Sequence, residues 1–450
     1  MRRSYRFRLY PTTNQARDLT VMLDSHRHLY NQCLETRSLA WKDYRLGINS
    51  IPLSSWFKTE RNHNHWFAAL NFSSAQATMR RLDKAFIAFF DRCKKRARRK
   101  GYPRFKGQDR FNSIEYPLHG DGIKLKDKTP KLYIQNIGLI RIKQHRKIQG
   151  TIKTVRVLRE ADQWYAVFSC DLGDVVVPKN TKPAVGIDMG LKSFLTTSDG
   201  EHVANPRFFK EAMPELRRAG RSLARKSKGS KHRHEAKRRL QRIHVRVRNQ
   251  RGDFTHKLSK TIADRYGLVA VESLKIRNML QNHRLARSIS DAAWRQWLEQ
   301  VRYKCEQTGA EFVEVDPRNT SQLCSQCGEM VPKGLDERWH RCTHCGLVLD
   351  RDENAARNIL LRARCSPHLV RAAARLARTE PANANEVLQF ECNHVQAATP
   401  SFEKPPALAG GVVTGLEMRF SASWSSGRKF GNEPLLVVLP DIIAAHVQVV

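Results

Sequence analysis

Acidic residues are scarce in this chain of 450 residues. Only 43 Asp and Glu accompany 80 Lys and Arg, which gives a formal net charge of +37. A surface this depleted of negative charge attracts polyanions, because neutralising their phosphates releases condensed counterions. An anionic membrane is the rival partner, but no segment combines a Lys-rich helical face with a continuous apolar one. The imbalance therefore favours a nucleic acid.

Long apolar runs and a secretory signal are also missing. The longest runs, Leu435–Leu439 and Ile442–Ala445, are separated by Pro440 and Asp441 and are far too short for a membrane span. The start, Met1–Phe7, has no apolar core. Ten cysteines are too few for a disulfide scaffold, and six of them are scattered, as reduced thiols are. We expect a soluble, cytoplasmic protein of two to four domains, with no membrane partner and an oligomeric state that the sequence leaves open.

The excess of positive charge is confined to the first part of the chain. Residues 366–450 hold seven basic and seven acidic residues, whereas residues 1–365 hold 73 basic and 36 acidic residues. We therefore predict that 366–450 is a neutral, disordered extension with no catalytic part. Cleavage activity that is lost when 366–450 is deleted from a stably expressed protein would contradict this hypothesis.

The amino-terminal part changes from one hydrophobic period to another. Residues 3–9 alternate as a strand does, residues 13–46 and 73–100 have helical spacing, and residues 103–178 contain short β-like runs separated by turns. The pattern predicts a wedge-like β-barrel that binds nucleic acid, formed by 1–12 and 101–182. A helical, recognition-like domain over 13–100 would be inserted into it.

A basic run ends the second helical stretch. Nine of the fifteen residues 92–106 are Lys or Arg, and Tyr102 and Phe105 are interleaved with them. Such a run is often only a solvated face, but the aromatic residues favour a surface for phosphates and stacked bases. The candidate contacts are Lys94, Lys95, Arg96, Arg98, Arg99, Lys100, Arg104 and Lys106.

Strand-like and helical runs alternate after residue 183. An apolar hairpin over 184–197 and strands at Leu268–Glu272 and Ala310–Val315 predict an α/β domain over 183–365. Its helical segment 205–262 is strongly basic, with a break at Ser227–Ser230 that predicts two helices. Dense like charge of this kind is stabilised by phosphates. The candidate contacts here are Arg225, Lys226, Lys237, Arg238, Arg239, Arg242, Arg246 and Arg248.

Two C-x-x-C pairs lie near the end of this domain. The pairs Cys324/Cys327 and Cys342/Cys345 are separated by fourteen residues, and each pair is followed by a glycine. A dithiol redox centre would need only one pair and a thioredoxin-like context. Four thiolates at this spacing instead predict a structural zinc site in a ribbon over 319–349, closed to catalytic water.

Three acidic residues occupy positions suited to catalysis. Asp188 and Glu272 each end an apolar strand, and Asp352 follows the cysteines directly. Two-metal phosphodiester hydrolysis needs carboxylates around a pair of Mg²⁺ ions. Each residue also has an ordinary interpretation: Asp188 as a turn residue, Glu272 as a surface acid and Asp352 as a helix cap. Asp350 could supply that cap instead.

At these residues the sequence resembles the TnpB (OrfB-type) proteins of insertion sequences. Val185-Gly-Ile-Asp-Met-Gly-Leu-Lys192 is similar to the family's first RuvC motif, and Val271–Leu274 to its second. The segments Val315–Gly328, Cys342–Gly346 and Asp350–Ile359 resemble the family's zinc ribbon and third motif. The stretches Tyr5–Gln15 and Pro103–Lys106 also resemble the family's amino-terminal half, so that about residues 2–364 are covered.

The resemblance implies an RNA-guided DNA endonuclease, related to the type V CRISPR effectors, with a RuvC/RNase H-like nuclease domain. Its partners would be a guide RNA from the transposon end and double-stranded target DNA, cut next to a short transposon-associated motif. Asp188, Glu272 and Asp352 would hold two Mg²⁺ ions, Asp188 bridging both, and the four cysteines would hold Zn²⁺. Two alternatives remain: a binding-only regulator, and a protein that acts directly in transposition. The three intact acids, in the order Asp, Glu, Asp, argue against both.

Overall fold

The computed structural model describes residues 1–126, 129–334 and 336–365. They form two compact units that divide between Val175 and Val176. The predicted extension, 366–450, lies outside the described residues. In the part of the chain that is described, no helix has the length and apolarity needed to cross a membrane.

The first unit is built on an antiparallel sheet of seven strands in the order β2-β6-β7-β1-β5-β4-β3. The strands are β1 (Arg2–Tyr10), β2 (Ser113–Tyr116), β3 (Ile123–Lys126), β4 (Lys131–Ile134), β5 (Gly138–Lys143), β6 (Thr151–Glu160) and β7 (Gln163–Asp171). Strand β1 lies at the centre, because it pairs with β7 over most of its length and with β5 over its last three residues. Tyr5, Phe7 and Leu9 alternate into the core, as the sequence pattern predicts.

Helices are inserted between β1 and β2. They are α1 (Thr13–Tyr44), α2 (Ser50–Glu60), α3 (His65–Ala68) and α4 (Phe72–Lys94), followed by a short 3-10 helix at Gln108–Arg110. A capping box starts α1: the Thr12 side chain accepts a hydrogen bond from the Gln15 amide, and the Gln15 side chain accepts one from the Thr12 amide. The buried side chains of α1, α2 and α4 share one core with the inner face of the sheet.

The second unit begins with three strands and then alternates helices with strands. Its elements are β8 (Ala184–Asp188), β9 (Ser193–Thr197), β10 (His202–Ala204), α5 (Phe208–Ala224), α6 (Lys231–Arg265), β11 (Leu268–Glu272), α7 (Ile276–Met279), α8 (Ala286–Ala292), α9 (Trp294–Thr308), β12 (Glu311–Val315), β13 (Trp339–Arg341), β14 (Val348–Asp350) and α10 (Arg351–Arg364). The main sheet has the order β10-β9-β8-β11-β12, in which β8, β11 and β12 are parallel. The short β13–β14 hairpin forms a separate ribbon.

The predicted mixed α/β fold, with helices inserted into the amino-terminal part, is confirmed. The strands predicted to form a small β-barrel make up one seven-stranded sheet that runs from β2 to β3. The predicted hairpin after Asp188 is also present, since β9 returns antiparallel to β8. One prediction of helix extent is wrong. The helix predicted over 73–100 ends at Lys94, and Arg96 has a left-handed backbone with φ of 48°. Arg92 holds the following chain as a loop by donating hydrogen bonds to the carbonyls of Lys100 and Gly101.

Candidate active site and metal centre

Two of the three candidate acids end neighbouring parallel strands. Residues 184–187 of β8 pair in register with residues 268–271 of β11, so that Asp188 and Glu272 follow at the same edge of the sheet. The carboxyl ends of parallel strands are where α/β sheets place their sites. The sequence prediction that these residues end buried strands is confirmed, because Val185, Ile187, Val269 and Val271 are fully buried.

Helix α10 brings the third acid to this edge. The backbone of α10 lies directly on Gly186: a Cβ atom there would be 2.0 Å from the Ala356 carbonyl oxygen and 2.7 Å from the Leu360 amide nitrogen. Only glycine allows this approach. Asp352 lies one helical turn before Ala356, and Asp188 lies two residues beyond Gly186 on the same face of the strand. The Gly186 contact therefore sets the position of Asp352 relative to Asp188.

The structure separates the capping role from the candidate catalytic role. Asp350 is the N-cap of α10, and its side chain accepts hydrogen bonds from the amides of Asp352 (2.8 Å) and Glu353 (3.4 Å). The interpretation of Asp352 as the cap is therefore wrong. Its carboxylate lies 3.5 Å from Arg351 Nε and 4.0 Å from a terminal nitrogen of Arg338, and only 16% of its side chain is exposed.

At this edge of the sheet, the charges of Glu272 and Asp352 act on Asp188. Burial raises the pKa of Asp188 well above its usual value, the charges of Glu272 and Asp352 raise it further, and Arg351 partly opposes them. Burial also raises the pKa of Glu272, against the opposing effects of a hydrogen bond from Thr320 and the charge of Arg362. Shielded carboxylates that repel one another are unfavourable without a compensating cation.

The four cysteines meet in a tight cluster. Their Sγ atoms all lie within 4.8 Å of one another. The cross-pair distances Cys324–Cys345 and Cys327–Cys342 are both 3.6 Å. A tetrahedral Zn²⁺ ion with Zn–S bonds of about 2.3 Å requires S···S distances of about 3.8 Å. The cluster therefore fits zinc in size and in donor chemistry.

Each C-x-x-C pair and the glycine after it form a zinc knuckle, the first at Cys324–Gly328 and the second at Cys342–Gly346, and the two repeat the same backbone geometry. The Gly328 amide donates to the Cys324 carbonyl and the Gly346 amide to the Cys342 carbonyl, each at 2.9 Å, and both glycines have φ near 75°. Backbone amides, that of Cys345 foremost, lower the pKa of the Cys342 thiol to about 6. Burial has the opposite effect in the first pair: it raises the pKa of Cys324, and that of Cys327 to about 12. The thiolate, which is the form that binds zinc, is therefore favoured by the backbone at Cys342 and opposed by burial at Cys324 and Cys327.

Three residues that the sequence analysis missed connect the zinc knuckle to the acids. Asn354, which is completely buried, accepts from the Ser325 amide and donates to the Leu323 carbonyl. Asn358, one turn later, donates to the carbonyls of Thr320 and Leu323. The Thr320 hydroxyl donates to Glu272 Oε1 at 2.5 Å. The signal available in the sequence was a pair of amides four residues apart in α10, Asn354 and Asn358.

Among the residues that the structure describes, the four cysteines are the group of three or more acidic, His or Cys side chains whose ligand atoms converge this closely. Asp188, Glu272 and Asp352 lie at one edge of the sheet, and the charges of the other two act on Asp188. Their carboxylate oxygens do not converge as closely as the four Sγ atoms. Which residues bind metal or nucleic acid stays a prediction.

The basic residues predicted in the first unit lie at the end of α4 and on the loop that follows it. Lys94, Lys95, Arg96, Arg98, Arg99, Lys100 and Arg104 are exposed. Tyr102 packs edge-on against Phe86 and Phe89, which anchors the loop to α4. Lys106 is different, because it is partly buried with its ammonium 5.5 Å from the centre of the Tyr30 ring.

The basic residues predicted in the second unit lie on a hairpin of two helices, as the break at Ser227–Ser230 indicated. Ser230 caps α6, and Arg233 closes the turn by donating to the carbonyls of Leu223 and Lys226. Arg225, Lys226, Arg238, Arg239, Arg242, Arg246 and Arg248 are exposed, and Lys237 is half-buried. Arg246 makes an ion pair with Glu215 of α5, so part of its charge is compensated within the hairpin.

Three family models match the chain. The OrfB model described as "Probable transposase" matches residues 167–283, "Cas12f1-like, TNB domain" matches residues 294–359, and "Helix-turn-helix domain" matches residues 1–45. The first two models cover β8, β11, the four clustered cysteines and the first nine residues of α10. The structure of residues 1–45 is a strand followed by one uninterrupted helix, not two helices joined by a turn.

Two curated relatives extend over most of the chain. A "Putative RNA-guided DNA endonuclease" of Streptomyces pristinaespiralis is 35% identical over 369 residues, which are 80% of this chain and 89% of the relative. A second, InsQ of Escherichia coli (strain K12), bears the same description and is 27% identical over 79% of this chain and 91% of the relative. A solved structure of the mini-RNA-guided endonuclease CRISPR-Cas_phi3 matches 81% of this chain and 92% of that one, with 9% identity and a TM-score of 0.41.

The family models and the two curated relatives define the class of the protein as a transposon-associated, OrfB-type protein with a cysteine-rich ribbon. More particularly, the chain belongs to the TnpB family. The resemblance identified from the sequence motifs is confirmed.

Proposed function

We propose that the protein is an RNA-guided DNA endonuclease of an insertion sequence. The observation that carries the proposal is geometric: Asp188 and Glu272 end neighbouring parallel strands, and α10, packed on Gly186, brings Asp352 to the same edge of the sheet. The descriptions of the relatives support the same activity. A guide RNA from the transposon end would select the target by base pairing, which explains a basic surface with little need for base-specific contacts. Cleavage would occur next to a short transposon-associated motif.

The oxygen donors at this edge are the kind that a pair of Mg²⁺ ions would take. Mg²⁺ takes oxygen ligands, and the site offers carboxylates whose mutual repulsion a cation would relieve. Asp188, Glu272 and Asp352 would hold the ions, which when bound supply activation of the attacking water and stabilisation of the leaving oxygen. Arg338 and Arg351 contact Asp352 and orient its carboxylate.

The zinc ribbon contributes structure to this reaction. Four thiolates complete a tetrahedral shell and leave no position for water. The hydrogen bonds from α10 to the first knuckle fix the helix that carries Asp352. The remaining free cysteines fit a reducing compartment, and we place the protein in the cytoplasm, where its DNA target is.

Purified protein with its co-purified RNA tests the proposal. Sequencing that RNA identifies the guide, and a plasmid that carries the matching target should be cut only when Mg²⁺ is added. Asp188→Ala should reduce the cleavage rate by several orders of magnitude while leaving RNA binding nearly intact. Asp253→Asn, which changes an exposed acid of α6, is the matched control and should cut normally.

The alternatives predict other results. An Asp188→Ala protein that behaves as wild type would favour a binding-only regulator. Joining of DNA ends to a target would favour a direct role in transposition. Loss of RNA binding in Asp352→Ala would contradict the separation of guide binding from catalysis.

A further inference from the structure

The short segment between β12 and the first zinc knuckle is fastened to α10. The Arg362 guanidinium donates to the carbonyls of Asp316 (2.8 Å) and Arg318 (2.6 Å). The Asn358 side chain donates to the Thr320 carbonyl at 2.8 Å. Residues 316–320 therefore follow the helix that carries Asp352, although they belong to the approach to the zinc ribbon.

The same segment contacts Glu272 through one side chain. Thr320 is 3% exposed, and its hydroxyl oxygen lies 2.5 Å from Glu272 Oε1. The Pro317 carbonyl, at 3.1 Å, competes for the single hydroxyl hydrogen. A carboxylate is the stronger acceptor, so the bond to an ionised Glu272 is favoured. The backbone of Glu272 is held independently, since β11 pairs with β12 and the Ser273 amide donates to the Val315 carbonyl.

Thr320 thus joins two parts of the candidate active site. Its carbonyl is bound to α10, whose first turn carries Asp352, and its hydroxyl is bound to the side chain of Glu272. We propose that Thr320 is a positioning residue that fixes the Glu272 carboxylate relative to Asp352 and the first zinc knuckle. The proposal rests on the proposed function, because it takes Glu272 to be a ligand of Mg²⁺.

Hydrogen bonds to a metal-binding carboxylate restrict its orientation. Their removal typically weakens metal affinity or activity by about 10–100-fold. Without the hydroxyl, the Glu272 carboxylate can rotate away from the edge of the sheet where Asp188 also lies. The principal effect should therefore be a rise in the Mg²⁺ concentration needed for half-maximal cleavage and stabilisation. Zinc binding by the four cysteines should be unchanged.

The test compares Thr320→Val, which keeps the shape and removes the hydroxyl, with Thr320→Ser, which keeps the hydroxyl. Thr255→Val is the matched control, because Thr255 is also buried and its hydroxyl donates to a carbonyl within α6. Each full-length protein is titrated with Mg²⁺, and two quantities are followed: the cleavage rate, and the rise in melting temperature without nucleic acid. Zinc content is measured by release of the metal to a colorimetric chelator.

We expect Thr320→Val to need about 10–100 times more Mg²⁺ in both titrations. Thr320→Ser and Thr255→Val should stay close to wild type, and all four proteins should hold one zinc ion. A Thr320→Val protein with the wild-type Mg²⁺ dependence would overturn the proposal. So would a Thr320→Ser protein as impaired as Thr320→Val, because the hydroxyl would then not be the determinant.

A Thr320→Val protein that loses its zinc or fails to fold would also count against the proposal, since Thr320 would then maintain the knuckle and not the carboxylate. Failure of the proposed function has a different signature. Wild-type protein that neither cuts DNA nor gains stability from Mg²⁺ would refute that function, whatever the variants do.

Discussion

Replacement of Asp188 by Asn should stabilise the protein when Mg²⁺ is absent. The change keeps the shape of the side chain and removes a charge that burial, Glu272 and Asp352 all disfavour. The pKa of Asp188 is raised in the folded state, so folding carries a penalty that is absent below the unfolded pKa. The penalty grows as pH rises and is complete above the folded pKa.

The size of the effect follows from this elevation. Each pKa unit is worth about 1.4 kcal/mol of stability. For a folded domain the size of the second compact unit, that free energy corresponds to a change of about 3–6 °C in melting temperature. In Mg²⁺-free buffer at pH 8, Asp188→Asn should melt above wild type. The difference should shrink as pH falls through the folded pKa of Asp188, because the wild-type carboxyl then becomes neutral.

Scanning calorimetry between pH 4 and pH 8, with and without Mg²⁺, measures this prediction. Added Mg²⁺ should raise the melting temperature of wild type, since a ligand that binds only the folded state stabilises it. It should have little effect on Asp188→Asn. Asp253→Asn, with an exposed acid, should follow wild type throughout. The reasoning is refuted if Asp188→Asn melts below wild type at every pH, or if Mg²⁺ stabilises both proteins equally.

Three other perturbations have definite expected outcomes. Gly186→Ala should lower the melting temperature and abolish cleavage, because its Cβ would overlap the backbone of α10, whereas Gly220→Ala, with nothing within 4 Å, should be tolerated; equal stability of the two would contradict the packing argument. Cys345→Ser should lose zinc. It should also lose most of its activity, because the first knuckle, which Asn354 binds, is then no longer fixed. Full activity of a protein that mass spectrometry shows to lack zinc would contradict the structural role. Neutralising Arg238 and Arg239 together should weaken RNA binding and reduce the salt dependence of log K by about one unit per lost phosphate contact; an unchanged slope in filter-binding titrations would exclude these residues.

Much of the candidate site could be predicted because its signals are local. Apolar strands that end in Asp188 and Glu272, and a fixed cysteine spacing, carry the same meaning wherever the rest of the chain goes. The tertiary contacts could not be predicted in this way. Thr320 reaches Glu272, 48 positions away in sequence, only because α10 holds its segment. Gly186 could equally have marked a bulge in a strand.

In the basic run after α4, the local sequence pattern predicts the wrong conformation. The helical stretch that the sequence predicts over 73–100 runs into this basic segment. The structure ends the helix at Lys94, because Arg92 binds the carbonyls of Lys100 and Gly101 and turns the chain back. The sequence shows where the charge lies, but the local pattern does not show the backbone conformation that presents it.

Crystals soaked in Mn²⁺, which prefers the same oxygen ligands as Mg²⁺, test the central claim most directly. The anomalous difference map should show Mn²⁺ bound by carboxylate oxygens of Asp188, Glu272 and Asp352 together. A map with no such peak, or with Mn²⁺ held by one of the three alone, would contradict the account of a shared catalytic metal site.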